Sequence, residues 1–202
     1  QRLEFDSPEL DIHFQSLRRP IEERWLSLAA RPGWLQLRGE EPTTSNFRQS
    51  LIARRIQSFA TRTTTCLDFQ PESFKQMAGL VAYYDTRNHY YLRVSRDEKL
   101  GRHLGIIRCD AGANGEILET ETSLPESGVV HLRVEVNRER LQFSYSLDGR
   151  EWSEIGPTLD STILSDDYDR LGFTGAFVGL CAQDLSGQRA PALFDYFDYE
   201  EL

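Results

Sequence analysis

Val130-His-Leu-Arg-Val-Glu-Val-Asn137 and, just after it, Leu141-Gln-Phe-Ser-Tyr-Ser-Leu147 decide the fold. In the first run Val130, Leu132, Val134 and Val136 alternate with His131, Arg133 and Glu135. In the second, Leu141, Phe143, Tyr145 and Leu147 alternate with Gln142, Ser144 and Ser146. Successive side chains leave a pleated strand on opposite sides, so a period of two means a strand with one buried face. The short link Asn137-Arg138-Glu139-Arg140 makes the two a hairpin. Asp148-Gly149 supplies a dipeptide that tolerates positive φ, and Glu151-Trp152-Ser153-Glu154-Ile155 opens a third antiparallel strand.

The same texture extends in both directions. Residues 78–84 and 90–95 read as partners around the turn Asp85-Thr86-Arg87-Asn88. Residues 104–109 form another strand, closed by the turn cluster Asp110-Ala111-Gly112-Ala113-Asn114-Gly115. Residues 34–38, 50–55, 61–69, 175–183 and 193–200 add more. Roughly ten strands result, with turn signals between them and no alternation of strand and helix, which predicts an antiparallel β-sandwich. The best helical stretch is 19–30, although Pro20 and Trp25 interrupt its pattern; 70–76 and 160–167 have room for a single turn each. No repeat and no Pro/Gly/Ser-rich linker divides the chain. Residues 1–38 read as an extended segment with the first strands, packing along a sandwich edge, and 39–202 as the remainder of the same domain.

Composition narrows the function. The 202 residues include 23 Lys plus Arg and 32 Asp plus Glu, a net charge of −9. That balance, with no run of five or more basic residues, argues against nucleic acid as a partner. With 39% hydrophobic residues the chain is able to build one core, and it has no apolar run long enough to span a membrane. Cys66, Cys109 and Cys181 are odd in number and far apart, so they read as buried free thiols in a reducing compartment.

Catalytic motifs are missing. There is no Gly-x-Ser-x-Gly elbow and no phosphate-cradling glycine loop, and His13, His89, His103 and His131 have no metal-ligand spacing. The cluster Asp166-Asp167-x-Asp169 reads as a solvated loop. Asp6 near the start and Asp195 in the final strand invite a calcium hypothesis, since first and last strands of a sandwich commonly lie side by side and a hard cation takes oxygen ligands. Tyr83, Tyr84, Tyr90 and Tyr91 on paired strands offer a sugar-stacking platform, but adjacent residues point to opposite faces, so at least one of each pair goes elsewhere.

Several longer segments resemble one family. Phe69-Gln-Pro-Glu-Ser-Phe-Lys-Gln-Met-Ala-Gly-Leu-Val-Ala-Tyr-Tyr-Asp, Leu141-Gln-Phe-Ser-Tyr-Ser-Leu-Asp-Gly, Gly172-Phe-Thr-Gly-Ala-Phe-Val-Gly, Gln183-Asp-Leu-Ser-Gly-Gln-Arg and Phe194-Asp-Tyr-Phe-Asp-Tyr are similar, in order, to the C-terminal domain of glycoside hydrolase family 43 β-xylosidases. The likeness covers essentially the whole chain, from Phe5-Asp-Ser-Pro-Glu-Leu onward. It implies a concanavalin A-like jelly roll of two antiparallel sheets, with catalysis located upstream in a propeller domain of the same polypeptide. In such enzymes the propeller carries the acid, the base and a modulating carboxylate, inverts the anomeric centre, and acts on xylo-oligosaccharides as a β-xylosidase or α-L-arabinofuranosidase. No catalytic residue is therefore assigned in this chain. The Gln1 start is expected from a cut at the domain boundary.

The resemblance further implies that one sandwich loop narrows the propeller's substrate pocket with an aromatic ring. The matching segment is 166–175, with Phe173 as the ring and Gly172 and Thr174 beside it. Related chains often carry Trp-Gly before this Phe, where this one has Leu171-Gly172. Some members bind structural calcium, which adds Glu4 to Asp6 and Asp195 as an expected ligand set. Homo-oligomer formation and a cytoplasmic location are further expectations. Two other functions share the fold: an autonomous carbohydrate-binding module, which needs an exposed aromatic strip, and a complete enzyme using carboxylates of the sandwich itself.

Overall fold

Residues 130–146 form the expected hairpin, and the burial of the first strand alternates residue by residue along it. The computed structural model describes residues 1–170 and 172–202, apart from the side chains of residues 118 and 119. The strands in chain order are β1 (Arg2–Glu4), β2 (Gln15–Ser16), β3 (Leu26–Arg31), β4 (Trp34–Arg38) and β5 (Ser50–Arg55). Then come β6 (Ala60–Asp68), β7 (Gln76–Tyr83), β8 (His89–Asp97), β9 (Gly101–Asp110) and β10 (Ala113–Ser123). The last are β11 (Val130–Asn137), β12 (Arg140–Ser146), β13 (Ser153–Asp160), β14 (Phe177–Asp184) and β15 (Pro191–Glu201).

One sheet runs β13-β12-β11-β6-β15-β4-β3, with β1 also on β15; the other runs β10-β9-β8-β7-β14-β5-β2. Every ladder between these strands is antiparallel. The inner faces meet in one core: Leu67, Leu132, Val134, Phe143, Phe194 and Phe197 on one side, and Ile52, Leu80, Leu92, Ile106 and Leu180 on the other. This is the all-β sandwich that the alternating pattern predicted, with more strands.

Three expectations are corrected. Residues 19–30 are not a helix. One turn closes at Leu26 N to Glu22 O (3.1 Å), and the chain then enters β3. Trp25 fills the core there, and a helix would turn the following residues away from the sheet. The stretch 70–76 holds only a hydrogen-bonded turn (Gln76 N to Ser73 O, 3.1 Å), whereas 160–167 does contain a 3-10 turn, Ser161–Leu164, capped by Asp160 Oδ1 on Thr162 N at 2.9 Å. The cluster 110–115 uses only Ala111 and Gly112 (φ 49° and 87°) as its turn, and Asn114 and Gly115 already pair with Cys109 and Arg108 in β10. That strand is an acidic edge strand with a register break between Ile117 and Thr122, so it shows little alternation. Residues 1–38 supply the strands at one edge of each sheet, β4 and β3 in the first and β2 in the second, and Leu35 and Leu37 lie fully buried beside Trp25.

The outer face of the second sheet is covered by its own side chains. Leu51, Met77, Val81, Tyr83, Tyr91, Ile107 and Cys181 form a second buried cluster there. Arg93 lies over Gly105 and donates to Glu116 (2.7 Å) and to His103 Nε2 (2.9 Å). His89 is fully buried, stacked on Tyr83 at 5.1 Å, with Nδ1 donating to Asp85 O (3.0 Å) and Nε2 without a partner among the described residues. Burial therefore holds its pKa down at about 4. An unfolded His takes up a proton near 6.5, so between these values the unfolded chain binds more protons. Stability is thus expected to fall as pH drops from about 6.5 to about 4. Urea unfolding at about pH 7 and about pH 5 checks this: His89→Phe should lose much of the wild-type difference, and an unchanged difference would remove His89 as its source.

Candidate functional site

The loop from Leu164 to β14 is tied down at its base and bare at its crest. Asp166 is the hub: its Oδ1 accepts from Tyr84 Oη (2.9 Å) and Gly175 N (3.1 Å), and its backbone oxygen accepts from Gly172 N (3.1 Å). Arg55 donates to Thr174 O. Arg87 Nε donates to Asp169 Oδ2 (2.9 Å) and Arg87 Nη2 to Ala111 O (2.6 Å), while Tyr168 Oη donates to Asp110 Oδ1 (2.9 Å). Burial and the hydrogen bond to Asp166 raise the Tyr84 hydroxyl pKa above its usual value. Arg87 holds the Asp169 carboxyl below its own. The acids 166 and 169, expected as a solvated loop, are in fact its fasteners.

Two glycines make this geometry accessible. A Cβ on Gly172 would stand 1.5 Å from the Tyr84 hydroxyl, and Gly175 has φ +69°. Between them Phe173 is 89% exposed. Gly172, Phe173 and Thr174 form the crest of this loop, and no local pattern marks its anchors Tyr84, Arg55 and Arg87, more than eighty residues from the loop in two cases and further still in the third.

The same end of the sandwich gathers both termini. Gln1 O accepts from Tyr199 N (2.9 Å), Arg54 bridges Gln1 Oε1 (3.2 Å) and Gln57 Oε1 (3.1 Å), and Leu202 N donates to Ala60 O (2.9 Å). A groove of about 910 Å³ lies here, lined by residues 56–59 and 136–140, the 3-10 turn and the foot of the Asp166 loop. Phe59, which the sequence reading passed over, stands on its wall 83% exposed. Its position in a turn between β5 and β6, outside either strand's alternation, was the available signal.

The other expected sites do not assemble in this way. β1 does lie beside β15, with Glu4 opposite Tyr196. Glu4 is held by Arg2 Nε (2.5 Å), Asp6 sits at the Gly33 turn, and Asp195 is on the face that carries Cys66 and His131. Among the described residues no group of three or more His, Cys, Asp or Glu side chains is placed to hold a metal ion. Asp6, Asp195 and Glu4 therefore do not form a calcium cage, which takes six to eight oxygens. Tyr83, Tyr90 and Tyr91 are buried, their hydroxyls given to Thr43 O, Asp160 O and Cys181 O. On the outer face of the first sheet Trp34, Trp152 and Tyr196 each carry an arginine over the ring (Arg31, Arg133 and Arg2, at 3.9, 3.6 and 3.8 Å). The thiols of Cys66 and Cys181 are pushed up to about 12 by burial, which disfavours the thiolate that a nucleophile needs.

Two antiparallel sheets packed face to face make this chain a β-sandwich, with an anchored aromatic loop and both termini at one end. The model of the β-xylosidase C-terminal concanavalin A-like domain matches residues 2–200, and the chain belongs to this family of glycoside hydrolase family 43 domains. It is 43% identical to a β-xylosidase of Bacillus subtilis strain 168, covering 98% of this chain and 38% of that protein. It is 30% identical to a non-reducing end α-L-arabinofuranosidase of Bacteroides ovatus, covering 100% of this chain and 37% of that protein. The crystal structure of a xylan β-1,4-xylosidase from Bacillus halodurans C-125 superposes with a TM-score of 0.96 at 46% identity, over 99% of this chain and 39% of the other. The chain thus spans less than two-fifths of the length of these relatives.

Proposed function

We propose that this domain is the non-catalytic accessory part of a β-xylosidase or α-L-arabinofuranosidase acting on xylo-oligosaccharides, and that it completes the substrate pocket of an upstream propeller domain with Phe173. The observation that carries this reading is a large apolar ring, 89% exposed, on a loop fixed by Asp166, Arg55 and Arg87. A monomeric surface gains nothing from presenting such a ring rigidly, whereas a pocket wall does. Glycoside inversion needs an acid and a base far enough apart to admit a water. Those groups belong to the propeller. Phe173 would pack along a sugar ring, orient it between the two carboxyls and keep stray water out. The buried tyrosines and the arginine-capped tryptophans leave the binding-module alternative without a ring face on either sheet, among the described residues.

Phe173→Ala in the full-length polypeptide is expected to lower kcat/KM on xylobiose roughly tenfold, equivalent to about 1.4 kcal/mol of lost transition-state stabilisation. Its melting temperature should not change, because an exposed side chain contributes little to folding. The chain of residues 1–202 alone should not turn over an aryl xyloside. Wild-type kinetics in the variant, or turnover by the domain alone, would overturn the reading.

A further inference from the structure

We infer that the groove beside Phe59 is the seat of the catalytic domain, with Phe59 as the anchor of the domain–domain contact and Arg138 and Arg140 as its charged rim. This rests on the accessory-domain reading and adds to it a docking surface separate from the Phe173 crest.

Three observations carry the inference. The first is direction. The family is defined as a C-terminal domain and the relatives are more than twice as long, so most of their length lies before the residue that aligns with Gln1. Gln1 leaves the sandwich through Arg54, whose other nitrogen holds Gln57 on the groove wall. A domain connected at that point therefore starts next to the groove.

The second is preorganisation. The Phe59 loop is pinned along its length: Ile56 N donates to Ala176 O (2.9 Å), Gln57 N to Tyr199 Oη (2.9 Å), and Arg138 N to Phe59 O (2.7 Å). A bare ring on a fixed backbone has little conformational entropy left to lose on burial, which is the property of an interface anchor. The third is charge. In a chain of net charge −9, Arg138 and Arg140 are exposed and make no ion pair or side-chain hydrogen bond among the described residues. Arg138 is also held at φ +54° by the hairpin it turns. The matching surface is an apolar pocket edged by carboxylates.

Hydroxyl-radical footprinting of the full-length polypeptide reads side-chain exposure directly. Phe74, 65% exposed in the loop at the opposite end, serves as the internal reference, and the urea-unfolded polypeptide gives intrinsic rates. Labelling of Phe59 is expected to fall at least fivefold below that of Phe74. Equal labelling of the two would overturn the inference. In that case protection of Phe173 would leave the accessory-domain reading standing, and labelling of Phe173 as well would remove both. Protection of Phe59 that vanishes on dilution would mean a second copy occupies the groove, and would also overturn the inference. In Arg138→Glu/Arg140→Glu, labelling of Phe59 should rise several-fold; no rise would overturn the assignment of the two arginines.

Discussion

Trp25→Ala should cost about 3–5 kcal/mol of folding stability, read as a lower urea midpoint at unchanged slope. Trp25 is completely buried, and it is the largest of the fully buried side chains. Truncation leaves a cavity in a core that is close-packed on both sides, and the lining can only partly collapse. It also removes two specific contacts. The indole Nε1 donates to Pro20 O at 3.1 Å, and the Arg19 guanidinium stacks 4.5 Å from the ring. Arg19 in turn donates to Glu40 (2.5 Å) and to Gln49 O (3.2 Å), so Trp25 is the packing floor under the ties that close the 39–49 loop. Trp34→Ala is the control. That ring is half-buried on the outer face with Arg31 over it, so it should cost well under half as much. Equal losses would show that Trp25 is no core residue in solution.

How much of this was legible in the sequence depends on which faces a segment buries. β11 buries one face residue by residue, so a period of two was visible and the fold class followed, whereas in β12 Ser144 and Ser146 are buried along with Leu141 and Phe143 and Tyr145 is only half-buried. β7 is buried on both faces and shows a continuous apolar run, which gave its existence but not its second packing layer of Met77, Val81 and Tyr83. The start of β10 is exposed and hid behind turn-forming residues. Trp25 looked like part of a weak helix because one true helical turn precedes β3, and only tertiary packing decides what comes after it. The site divides in the same way. The glycines around Phe173 and the resemblance marked the loop. Its fasteners could not be read, because Tyr84 and Arg87 reach Asp166 and Asp169 from a different hairpin, and chain spacing carries no record of such contacts. Phe59 lacked even the flanking glycines.

If the loop walls a substrate pocket as proposed, Gly172→Val should lower the proposed xylosidase activity of the full-length polypeptide about a hundredfold, more than removing the Phe173 ring itself, since small misplacements of a positioning element cost on that order. The new Cβ would fall 1.5 Å from the Tyr84 hydroxyl and 2.7 Å from the ring carbon that bears it, so the loop or the ring has to move. Either movement breaks the bond from Tyr84 to Asp166 Oδ1, and that oxygen also holds Gly175. Truncating the ring deletes one contact, whereas displacing the loop puts backbone into the space where a sugar would lie. Folding should suffer little, because the collision is confined to a surface loop. The cause can be separated from a general loss by a double-mutant cycle. Tyr84→Ala alone removes an anchor and should cost several-fold in activity. Combined with Gly172→Val it also removes the obstacle, so the double variant should be more active than Gly172→Val alone. If the two losses simply multiply, the collision with Tyr84 is not what Gly172 avoids, and the loop's shape has another origin.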